Sequence, residues 1–515
     1  MKQVFFDGKG TLQLQDVPAP TCGRGQVLVR AAYSLISSGT ESTALSGGGS
    51  LVKQALRRPD LVRRTLRYAA RQGVRATVGL VRSATSDWFP LGYSAAGEVV
   101  EVGADVSSFA VGDRVACAGA GYANHAEFIA VPRNLVVKVP PGVPLREACF
   151  ATVGAIALQG VRRAEPTLGE TVVVVGTGLI GLLTAQLLRA HGCRVICTDL
   201  AGDRLQAARA LGVEHTVLVG AVDPVAAVRA VAGPTGADAV ILTAGTASSA
   251  PVNQAFQMCR ERGRVVIVGA VGMNLERNDF YNKEIDLRIS RSYGPGRYDR
   301  DFEEKGVDYP LGYVRWTETR NLAAFLEQVQ QGRVAVAPLV SAEYPIEQAP
   351  EAYARVTGGD GIGVVLVYPG AAAETMPDRT LQLAARAPAR DGRIGLALVG
   401  AGNYARLMHI PNLKRLGARV EVRAVVSGSG ASARRAATEL GAPLASTDLR
   451  AVLGNSDVDA VLIATRHDLH RKQCLAAARA GKHIFVEKPL ALTVPDCEEI
   501  VAAVAEAGVL CAVGF

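Results

Sequence analysis

The sequence predicts an α/β protein that combines β-rich segments with two doubly wound parallel sheets. Strands alternate with helices in two separate stretches, the first from about residue 170 and the second from residue 393. In each stretch a glycine-rich turn follows an apolar strand directly and opens a helical run. The first ~150 residues instead contain short alternating apolar runs between Gly, Pro and Asp, which is typical of β-structure.

The composition is that of a globular protein with several domains. The chain has 515 residues, of which 49% are hydrophobic and 20% charged, and this length suits roughly two to four domains. Its net charge of +8 comes from basic residues spread along the chain, apart from a concentration at residues 53–82 that has no interleaved aromatic platform. We therefore expect no nucleic-acid partner. The expected ligand is a small molecule, and the expected assembly is a homo-oligomer.

Cysteine usage and hydropathy indicate a cytoplasmic protein. Nine cysteines occur without a CxxC pair, so no disulfide framework is indicated. The N-terminal residues lack the apolar stretch of a signal peptide, and no apolar run approaches membrane-spanning length. We expect no association with a membrane.

Five segments are predicted along the chain. Residues 1–155 form a β-rich domain, within which residues 50–83 show helical spacing of apolar residues with Arg on the other faces. This basic insert is either a solvated helix or an anion-binding face. The remaining segments are a first α/β domain, a β-type return to the first domain, a linker rich in Ala, Pro and charge, and a second α/β domain, at residues 156–290, 291–369, 370–391 and 392–515.

The strands of both α/β domains are predicted from short runs rich in Val, Ile and Leu, as buried parallel strands are. In the first domain these runs are residues 171–176, 194–199, 215–220, 238–244, 264–269 and 286–292. In the second domain they are residues 393–400, 421–427, 459–465, 483–488 and 509–515.

The first glycine-rich turn reads Gly176-Thr177-Gly178-Leu179-Ile180-Gly181. In such a turn the first Gly permits the tight bend, the second admits a pyrophosphate close to the backbone, and the third lets the helix pack on the strand. Asp199 ends the next strand, 23 residues after Gly176, where a carboxylate can accept hydrogen bonds from the adenosine ribose. The sequence therefore predicts an NAD(P) site here, with NAD favoured.

The second turn reads Gly400-Ala401-Gly402-Asn403-Tyr404-Ala405, with Ala at the third glycine position. It also follows a strand and precedes a helix. The next strand ends in Ser427 and Gly428 without an acid, and Arg434 and Arg435 follow shortly after. Because no carboxylate would repel a 2′-phosphate there, the sequence predicts a second dinucleotide site that can accept NADP.

Residues 1–368 resemble the medium-chain dehydrogenase/reductase superfamily, the relatives of zinc alcohol dehydrogenase. The matching motifs are SSGTE (37–41), LGYSAAGEVVEVG (91–103), VGDRVA (111–116), AEFIAVP (126–132) and the GTGLIG turn. The resemblance implies a GroES-like catalytic domain that is interrupted in sequence by a first Rossmann domain.

The positions at which zinc-dependent members of that superfamily carry metal ligands hold hydroxyl side chains in this chain. Ser38 stands where the family has Cys, Tyr93-Ser94 replace His-Glu, and Thr152 falls about where the third ligand belongs. Neutral hydroxyls are poor Zn²⁺ ligands, and the four-Cys structural lobe of the family is also missing. The resemblance is therefore closer to the zinc-free members, and we expect no zinc.

Residues 393–515 resemble the N-terminal half of the Gfo/Idh/MocA family, which includes glucose–fructose oxidoreductase and inositol dehydrogenase. The matches are GAGNYA, DVDAVLIAT, His470 at a helix start, and AGKHIFVEKPLALT (480–493). The resemblance implies a second Rossmann domain with the signature Glu487-Lys488-Pro489, in which Lys488 lies against nicotinamide and substrate and Pro489 follows a kinked or cis peptide. In the family the catalytic His and the substrate-binding sheet come later, so we expect this unit to lack its substrate domain. Together the two parts resemble bacterial two-domain oxidoreductases that fuse these families.

Residues 290–321 concentrate Arg, Tyr and Trp in a chain that is otherwise poor in aromatics. The segment follows the last strand of the first α/β domain, near the carboxyl ends of the strands, where such sheets bind ligands. Aromatic faces pack against sugar rings, and Arg binds carboxylate or phosphate. The candidate substrate-binding residues are Arg297, Tyr298, Tyr313, Arg315 and Trp316. The alternative is a lid or a packed connection between domains.

Together these features predict a zinc-independent, NAD(P)-dependent oxidoreductase that interconverts a hydroxyl and a carbonyl on a polar or sugar-like substrate. The candidates to supply or orient the proton donor are Ser38, Thr40, Glu41 and Tyr93. Tyr93 comes first because a phenol can donate to a developing alkoxide. The alternative for Tyr93 is a tyrosine packed at an interface. Lys488 is the catalytic candidate of the second unit. The alternative is a redox sensor or scaffold that binds dinucleotide without turnover, which the missing zinc ligands would also fit.

Overall fold

The structure is a computed structural model that describes residues 1–7, 10–37, 39, 88–369, 377–384 and 392–514. Its strands are β1 (Lys2–Phe6), β2 (Leu12–Asp16), β3 (Gln26–Ser37), β4 (Phe89–Pro90), β5 (Ser94–Val102), β6 (Arg114–Ala118), β7 (Phe128–Pro132), β8 (Val136–Lys138), β9 (Thr171–Val175), β10 (Arg194–Asp199), β11 (His215–Leu218), β12 (Ala237–Leu242), β13 (Cys259–Ile267), β14 (Asp286–Ile289), β15 (Val340–Pro345), β16 (Gly363–Val367), β17 (Thr380–Gln382), β18 (Ile394–Val399), β19 (Val420–Val426), β20 (Leu444–Ser446), β21 (Ala460–Ile463), β22 (His483–Glu487) and β23 (Cys511–Gly514).

Its α-helices are α1 (Leu145–Ala148), α2 (Ala151–Ala164), α3 (Leu179–Ala190), α4 (Gly202–Ala210), α5 (Pro224–Ala232), α6 (Ala250–Met258), α7 (Arg277–Tyr281), α8 (Arg300–Glu303), α9 (Glu318–Gln330), α10 (Ala349–Thr357), α11 (Ile410–Arg415), α12 (Gly430–Leu440), α13 (Leu449–Leu453), α14 (His467–Arg479) and α15 (Val494–Ala507). The basic insert predicted at residues 50–83 lies outside the described residues. Within the described part of the chain, no helix is both long enough and apolar enough to cross a membrane.

The β-rich part contains a seven-stranded sheet and a three-stranded sheet. The larger sheet has the order β15-β16-β3-β5-β6-β8, with β7 also paired to β3, and the smaller has the order β2-β1-β4. β16 pairs antiparallel with β3, so that Val364 opposes Ile36. The chain therefore returns to the β-rich sheet after the first α/β domain, as the expected β–α/β–β order requires.

The first Rossmann sheet has six strands in the order β11-β10-β9-β12-β13-β14, and all its pairings are parallel. Val172, Val173 and Val174 of β9 are fully buried because apolar clusters cover both faces of the sheet. The strand order reverses between β9 and β12. A doubly wound sheet binds its ligand at the carboxyl ends of the strands at such a reversal.

The buried helix α2 connects the β-rich part to the first Rossmann sheet, so the domain boundary expected at residue 155 falls inside a helix. Two glycines of α2 allow close approach of its neighbours. A Cβ on Gly154 would lie 2.4 Å from the ring of Phe325 in α9, and one on Gly160 would lie 2.7 Å from the side chain of Val268. The helix therefore belongs to the core of both parts.

The second Rossmann sheet has seven strands in the order β17-β20-β19-β18-β21-β22-β23. Five were expected, and the two additional strands, β17 and β20, have three residues each. The structure differs here from the linker predicted at residues 370–391, because Thr380–Gln382 form β17 and pair antiparallel with β20. Three residues are too few for a periodic pattern to be recognised.

We expect Gly154→Ala to destabilise the protein, because its added methyl group would overlap the Phe325 ring, which is fully buried. Overpacking of this kind costs about 1–3 kcal/mol, and because three ring atoms lie within 2.4 Å of the added methyl group we expect this cost to outweigh the gain in helix propensity of at most ~1 kcal/mol. Urea unfolding of the full chain measures the change. Gly202→Ala in α4 is the matched control, since nothing lies within 4 Å of its Cβ position. Equal unfolding midpoints for the two variants would contradict the packing argument.

Candidate functional site

The first glycine-rich turn lies between β9 and α3. Gly176 has a φ of +93°, a conformation that favours glycine. A Cβ on Gly181 would lie 1.9 Å from the carbonyl oxygen of Gly176, so the third glycine is needed for α3 to begin directly against the strand. The Cβ position of Gly178 has nothing within 4 Å and is open to a ligand. Leu179 and Ile180 form the first turn of α3 and pack into the core. The turn therefore has the shape that a pyrophosphate requires.

Asp199 ends β10 next to this turn. Its Oδ2 accepts hydrogen bonds from the Thr177 backbone N–H (2.6 Å) and the Thr177 hydroxyl (2.9 Å). Its Oδ1 accepts one from the N–H of Ala201 at 2.9 Å. A carboxylate can accept about four hydrogen bonds, so the group is held in place and keeps capacity for a ribose hydroxyl.

The candidate proton donors and the positions of the missing zinc ligands are described only in part. Ser38, Thr40 and Glu41 lie outside the described residues. The Tyr93 side chain is 8% exposed and packs within the core of the β-rich part. Its neighbour Ser94 donates a hydrogen bond to the carbonyl oxygen of Cys149 at 2.6 Å.

Thr152, the third of these positions, is fully buried, and its hydroxyl donates to the carbonyl oxygen of Tyr93 at 3.3 Å. Both Ser94 and Thr152 therefore hold the backbone of the β-rich part together. Among the described residues, no group of three or more His, Cys, Asp or Glu side chains is placed to hold a metal ion.

A buried chain of hydrogen bonds that we had not predicted lies behind Gly92. The Ser34 hydroxyl is 2.7 Å from His125 Nδ1 and 2.7 Å from the Tyr368 hydroxyl. His125 is fully buried, and a Cβ on Gly92 would lie 2.9 Å from its ring. In the sequence, the only sign of these hydrogen bonds is a single His directly before the AEFIAVP motif.

Arg297 and Tyr298, two of the candidate substrate residues, line one cleft. Arg297 forms an ion pair with Glu303 at 2.5 Å, and its guanidinium lies 5.2 Å from the Tyr293 ring centroid and 4.1 Å from that of Tyr298. Tyr298 itself is 59% exposed. The cleft has a volume of ≈ 670 Å³.

The other three candidates are not among the residues that line this cleft. Trp316 lies between two guanidinium groups, with the Arg162 carbon 3.4 Å and the Arg315 carbon 3.9 Å from its ring centroid. Tyr313 is 91% exposed. The structure therefore divides the segment into a cleft-lining part and a packed or exposed part, and the sequence could not distinguish these.

Glu318 is a buried carboxyl group that the sequence analysis missed. It begins α9 and is fully buried, and neither carboxylate oxygen has a hydrogen-bond partner among the described residues. Burial, with a smaller contribution from Glu303, raises the pKa of the Glu318 carboxyl to about 9. The group is therefore protonated at neutral pH.

The second glycine-rich turn lies between β18 and a helical segment. Gly400 has a φ of +101°, and the Cβ position of Gly402 has nothing within 4 Å. Asn403 and Tyr404 start the helical segment, which continues as a π-helical turn from Ala405 to His409. Ala405 is fully buried and occupies the place of the third glycine.

The signature Glu487-Lys488-Pro489 begins at the last residue of β22. Glu487 Oε1 lies 2.9 Å from His409 Nε2. The Lys488–Pro489 peptide bond is cis, as the resemblance implied, and the Lys488 side chain is exposed. His470 is fully buried, with its Nδ1 2.8 Å from the Pro489 carbonyl oxygen and its Nε2 3.2 Å from that of Thr465. The histidine thus links the signature to the end of β21.

The residues that follow β19, beside the second turn, contact the N-terminal segment, Asp16–Thr21. Ser427 follows β19, and the next residue, Gly428, accepts a hydrogen bond from the Thr21 N–H at 3.2 Å. A Cβ on Gly430 would lie 1.7 Å from the Pro18 carbonyl oxygen.

Arg434, one of the two basic residues expected to tolerate a 2′-phosphate, belongs to the same contact. Its guanidinium donates a hydrogen bond to the Asp16 carbonyl oxygen, and burial lowers its pKa. The structure thus differs from the sequence interpretation, because Arg434 is held by the backbone of the N-terminal segment.

Three family models match the chain. Residues 68–141 match the alcohol dehydrogenase GroES-like domain, and residues 180–305 match the zinc-binding dehydrogenases. Residues 394–515 match the oxidoreductase family with an NAD-binding Rossmann fold, Gfo/Idh/MocA. The chain is a medium-chain dehydrogenase/reductase joined to a Gfo/Idh/MocA-type Rossmann unit. It is an NAD(P)-dependent oxidoreductase, and both resemblances read from the sequence are confirmed.

Named relatives of this oxidoreductase include dehydrogenases of polyols and sugars. The sorbitol dehydrogenase of Halalkalibacterium halodurans is 25% identical over 393 residues, which cover 70% of this chain and 96% of that protein. The D-guloside 3-dehydrogenase of Escherichia coli is 28% identical over 274 residues, which cover 52% of this chain and 73% of that protein. The solved structure of alcohol dehydrogenase TADH from Thermus sp. ATN1 shares the fold, with a TM-score of 0.55 and 21% identity over 72% of this chain and 100% of that one.

The buried Glu318 makes the stability of the oxidoreductase depend on pH. In the folded chain the Glu318 carboxyl has a pKa of about 9 and is protonated below that pH. In the unfolded chain it ionises with its ordinary pKa of 4.5. The folded state therefore binds the extra proton between these values, and stability falls as pH rises through that window. We expect Glu318→Gln, which cannot ionise, to gain stability relative to the parent chain between pH 5 and pH 9 (about the limits of that window).

Thermal unfolding across this range measures the difference between the two chains. Glu327→Gln is the matched control because Glu327 lies on the same helix and is exposed. If the Glu318→Gln variant and the parent chain change in parallel with pH, the carboxyl is not protonated in the folded state.

Proposed function

We propose that this oxidoreductase interconverts a hydroxyl and a carbonyl on a polyol or sugar-like substrate at its first Rossmann unit, with NAD(H) as cofactor. The observation that carries the proposal is the open turn at Gly178 beside the fixed carboxylate of Asp199. A bound nicotinamide would supply or accept the hydride, and the protein would position it. The names of the relatives, sorbitol dehydrogenase and D-guloside 3-dehydrogenase, support a substrate with several hydroxyl groups.

The preference for NAD(H) over NADP(H) follows from Asp199. Its carboxylate can accept a hydrogen bond from a ribose hydroxyl and would repel a 2′-phosphate. Its hydrogen bonds to the backbone of Thr177 and Ala201 prevent it from turning away.

We expect Asp199→Ala to weaken NAD binding about 10-fold or more, because charged hydrogen bonds contribute about 1.5–3 kcal/mol each. The same change should lower the ratio of kcat/KM with NAD to kcat/KM with NADP. The measurement is kcat/KM of the full chain with both cofactors, using sorbitol and related polyols. Asp203→Ala is the control, since Asp203 is exposed in the first turn of α4. A parent chain that prefers NADP would contradict the proposal, and absence of any turnover would favour a sensor or scaffold.

Catalysis without zinc is the second part of the proposal. Ser94 and Thr152 use their hydroxyls to hold backbone carbonyl oxygens, and neutral hydroxyls are poor ligands for zinc. Proton transfer would then fall to the hydroxyl and carboxyl groups of the same region. Tyr93 is the proposed donor, with Ser38, Thr40 and Glu41 orienting it or the substrate.

We expect the purified oxidoreductase to contain far less than one zinc per chain and to keep its turnover after dialysis against a chelator. Elemental analysis and activity assays before and after dialysis check this expectation. Stoichiometric zinc that is lost together with activity, and restored with it, would show that zinc is required.

The second unit is proposed to bind a dinucleotide without contributing to this turnover. The turn from Gly400 to Ala405 would hold the pyrophosphate, and Lys488 would lie beside the nicotinamide. Ser427 and the contact of the N-terminal segment would form the ribose end.

A homo-oligomer is proposed through the exposed apolar side chains near the last strand. Phe485 in β22 and Leu510 and Val513 around β23 are 37%, 74% and 38% exposed. β23 ends the sheet order, and an edge strand with apolar neighbours favours association.

A further inference from the structure

The cleft that contains Arg297 and Tyr298 begins where β14 ends. It includes Ile289, the last residue of β14, and Gln159 of α2. Most of the remaining lining belongs to the loop between β14 and α8, including Arg291, Arg297, Tyr298 and Asp299. Arg300 at the start of α8, Tyr309 after it and Arg163 of α2 complete the charged and aromatic part of the lining. A crevice at the carboxyl ends of parallel strands is where such sheets bind ligands.

The position of β14 in the sheet places this cleft on the nicotinamide side. Asp199 on β10 marks the half of the sheet that would hold the adenosine. β12, β13 and β14 lie on the other side of β9. A dinucleotide bound across the sheet would extend from the β10 half to the half that contains β12, β13 and β14, so its nicotinamide would lie in the same half of the sheet as the end of β14.

Two of the four arginines that line the cleft are paired with acids. Arg297 pairs with Glu303 at 2.5 Å, and Arg300 pairs with Glu304 at 3.0 Å. Among the described residues that line the cleft, Asp299 is the one acid, and it accepts a hydrogen bond from the Tyr309 hydroxyl at 2.5 Å.

The other two cleft arginines, Arg163 and Arg291, have no acidic partner among the described residues. Both are exposed, and Arg291 lies over the Tyr298 ring at 4.6 Å from its centroid. The cleft therefore has an excess of positive charge that the described part of the chain does not neutralise. Arginine forks bind carboxylate or phosphate through two parallel hydrogen bonds.

The loop that carries Arg291 and Tyr298 is held in an uncommon conformation. Ser292 and Tyr298 have φ values of 50° and 68°, although neither is glycine, and Gly294 and Gly296 have 120° and 104°. Strained backbone of this kind persists only where its surroundings hold it, and it is concentrated at functional sites.

The first turn of α9 supplies part of that hold. The Asn321 side chain donates a hydrogen bond to the Tyr293 carbonyl oxygen at 2.9 Å, and the Glu318 N–H donates one to Pro295 at 2.8 Å. A rigid loop that presents a guanidinium and an exposed phenol is suited to bind a ligand with little loss of conformational entropy.

We infer that the substrate of the first unit carries an anionic group, a carboxylate or a phosphate, bound by Arg163 and Arg291, with the Tyr298 ring packed against its carbon skeleton. The inference rests on the proposed function and adds the substrate class to it. The hydride-transfer chemistry is unchanged, since the anionic group only positions the substrate in the crevice.

The test compares a neutral substrate with its charged counterparts in the full-length oxidoreductase. Sorbitol and a neutral hexose, a hexuronate, and a hexose or hexitol phosphate are assayed with NAD or NADH. We expect kcat/KM to be about 10- to 100-fold higher for a charged substrate than for its neutral counterpart, mainly because KM is lower. The kcat/KM for the charged substrate should fall as the salt concentration rises. Comparison of kcat/KM for the hexuronate with that for the sugar phosphate shows which anion is preferred.

Arg291→Gln and Arg163→Gln identify the binding groups. We expect each to lower kcat/KM for the charged substrate about 10-fold or more, mainly by raising KM, and so to reduce the preference for the charged over the neutral substrate. Arg333→Gln is the control, because Arg333 is exposed and does not line the cleft. Equal kcat/KM for neutral and charged substrates, unaffected by either variant, would overturn the inference and leave the proposed function intact.

A binding measurement separates the two proposals if no substrate is turned over. Titration of glucuronate, and separately of inorganic phosphate, into the NADH-loaded protein is followed by calorimetry. Binding that Arg291→Gln abolishes supports the anionic site even if the proposed reaction is wrong. Absence of binding by both anions in the parent chain would overturn the inference.

Discussion

The first site depends on how closely α3 can approach β9. A side chain at Gly181 would overlap the carbonyl oxygen of Gly176, so only glycine lets the helix start at that point. The helix start fixes the direction of the first backbone N–H groups, which are the groups that would bind a pyrophosphate. It also places Thr177 next to Asp199, whose carboxylate accepts both hydrogen bonds from that residue. The geometry of this turn thus follows from one backbone contact.

The second unit meets the same constraint with a different residue. Ala405 replaces the third glycine and is fully buried, and the chain there forms a π-helical turn. The Glu487 carboxylate contacts His409 at the end of this turn. This contact connects the turn to the cis-proline signature. The second turn therefore resembles the first in sequence, but it is supported by side chains from the opposite half of its sheet.

The sequence was sufficient to predict those features that depend on residues close together along the chain. Strands such as β9 and the two glycine-rich turns were predicted correctly because each consists of a short continuous pattern. The strands β17 and β20 were missed because each has only three residues and becomes recognisable only through its partner. Glu318 was missed for a similar reason: an acid at a helix start is usually exposed, and only the folding of the Tyr293–Pro295 loop over α9 buries it.

The contact between the N-terminal segment and α12 shows most clearly what a sequence pattern leaves open. The absence of an acid after β19 suggested room for a 2′-phosphate, and Arg434 suggested a charge to bind it. In the folded chain the Pro18 carbonyl oxygen lies against Gly430, and the Asp16 carbonyl oxygen accepts the Arg434 hydrogen bond. Carbonyl oxygens carry partial negative charge, so Arg434 is bonded to a backbone acceptor and is not free to bind a phosphate as its sequence position suggested. The binding of NADP at the second turn stays a prediction. The residues responsible lie at the other end of the chain, so only the tertiary structure could reveal this restriction.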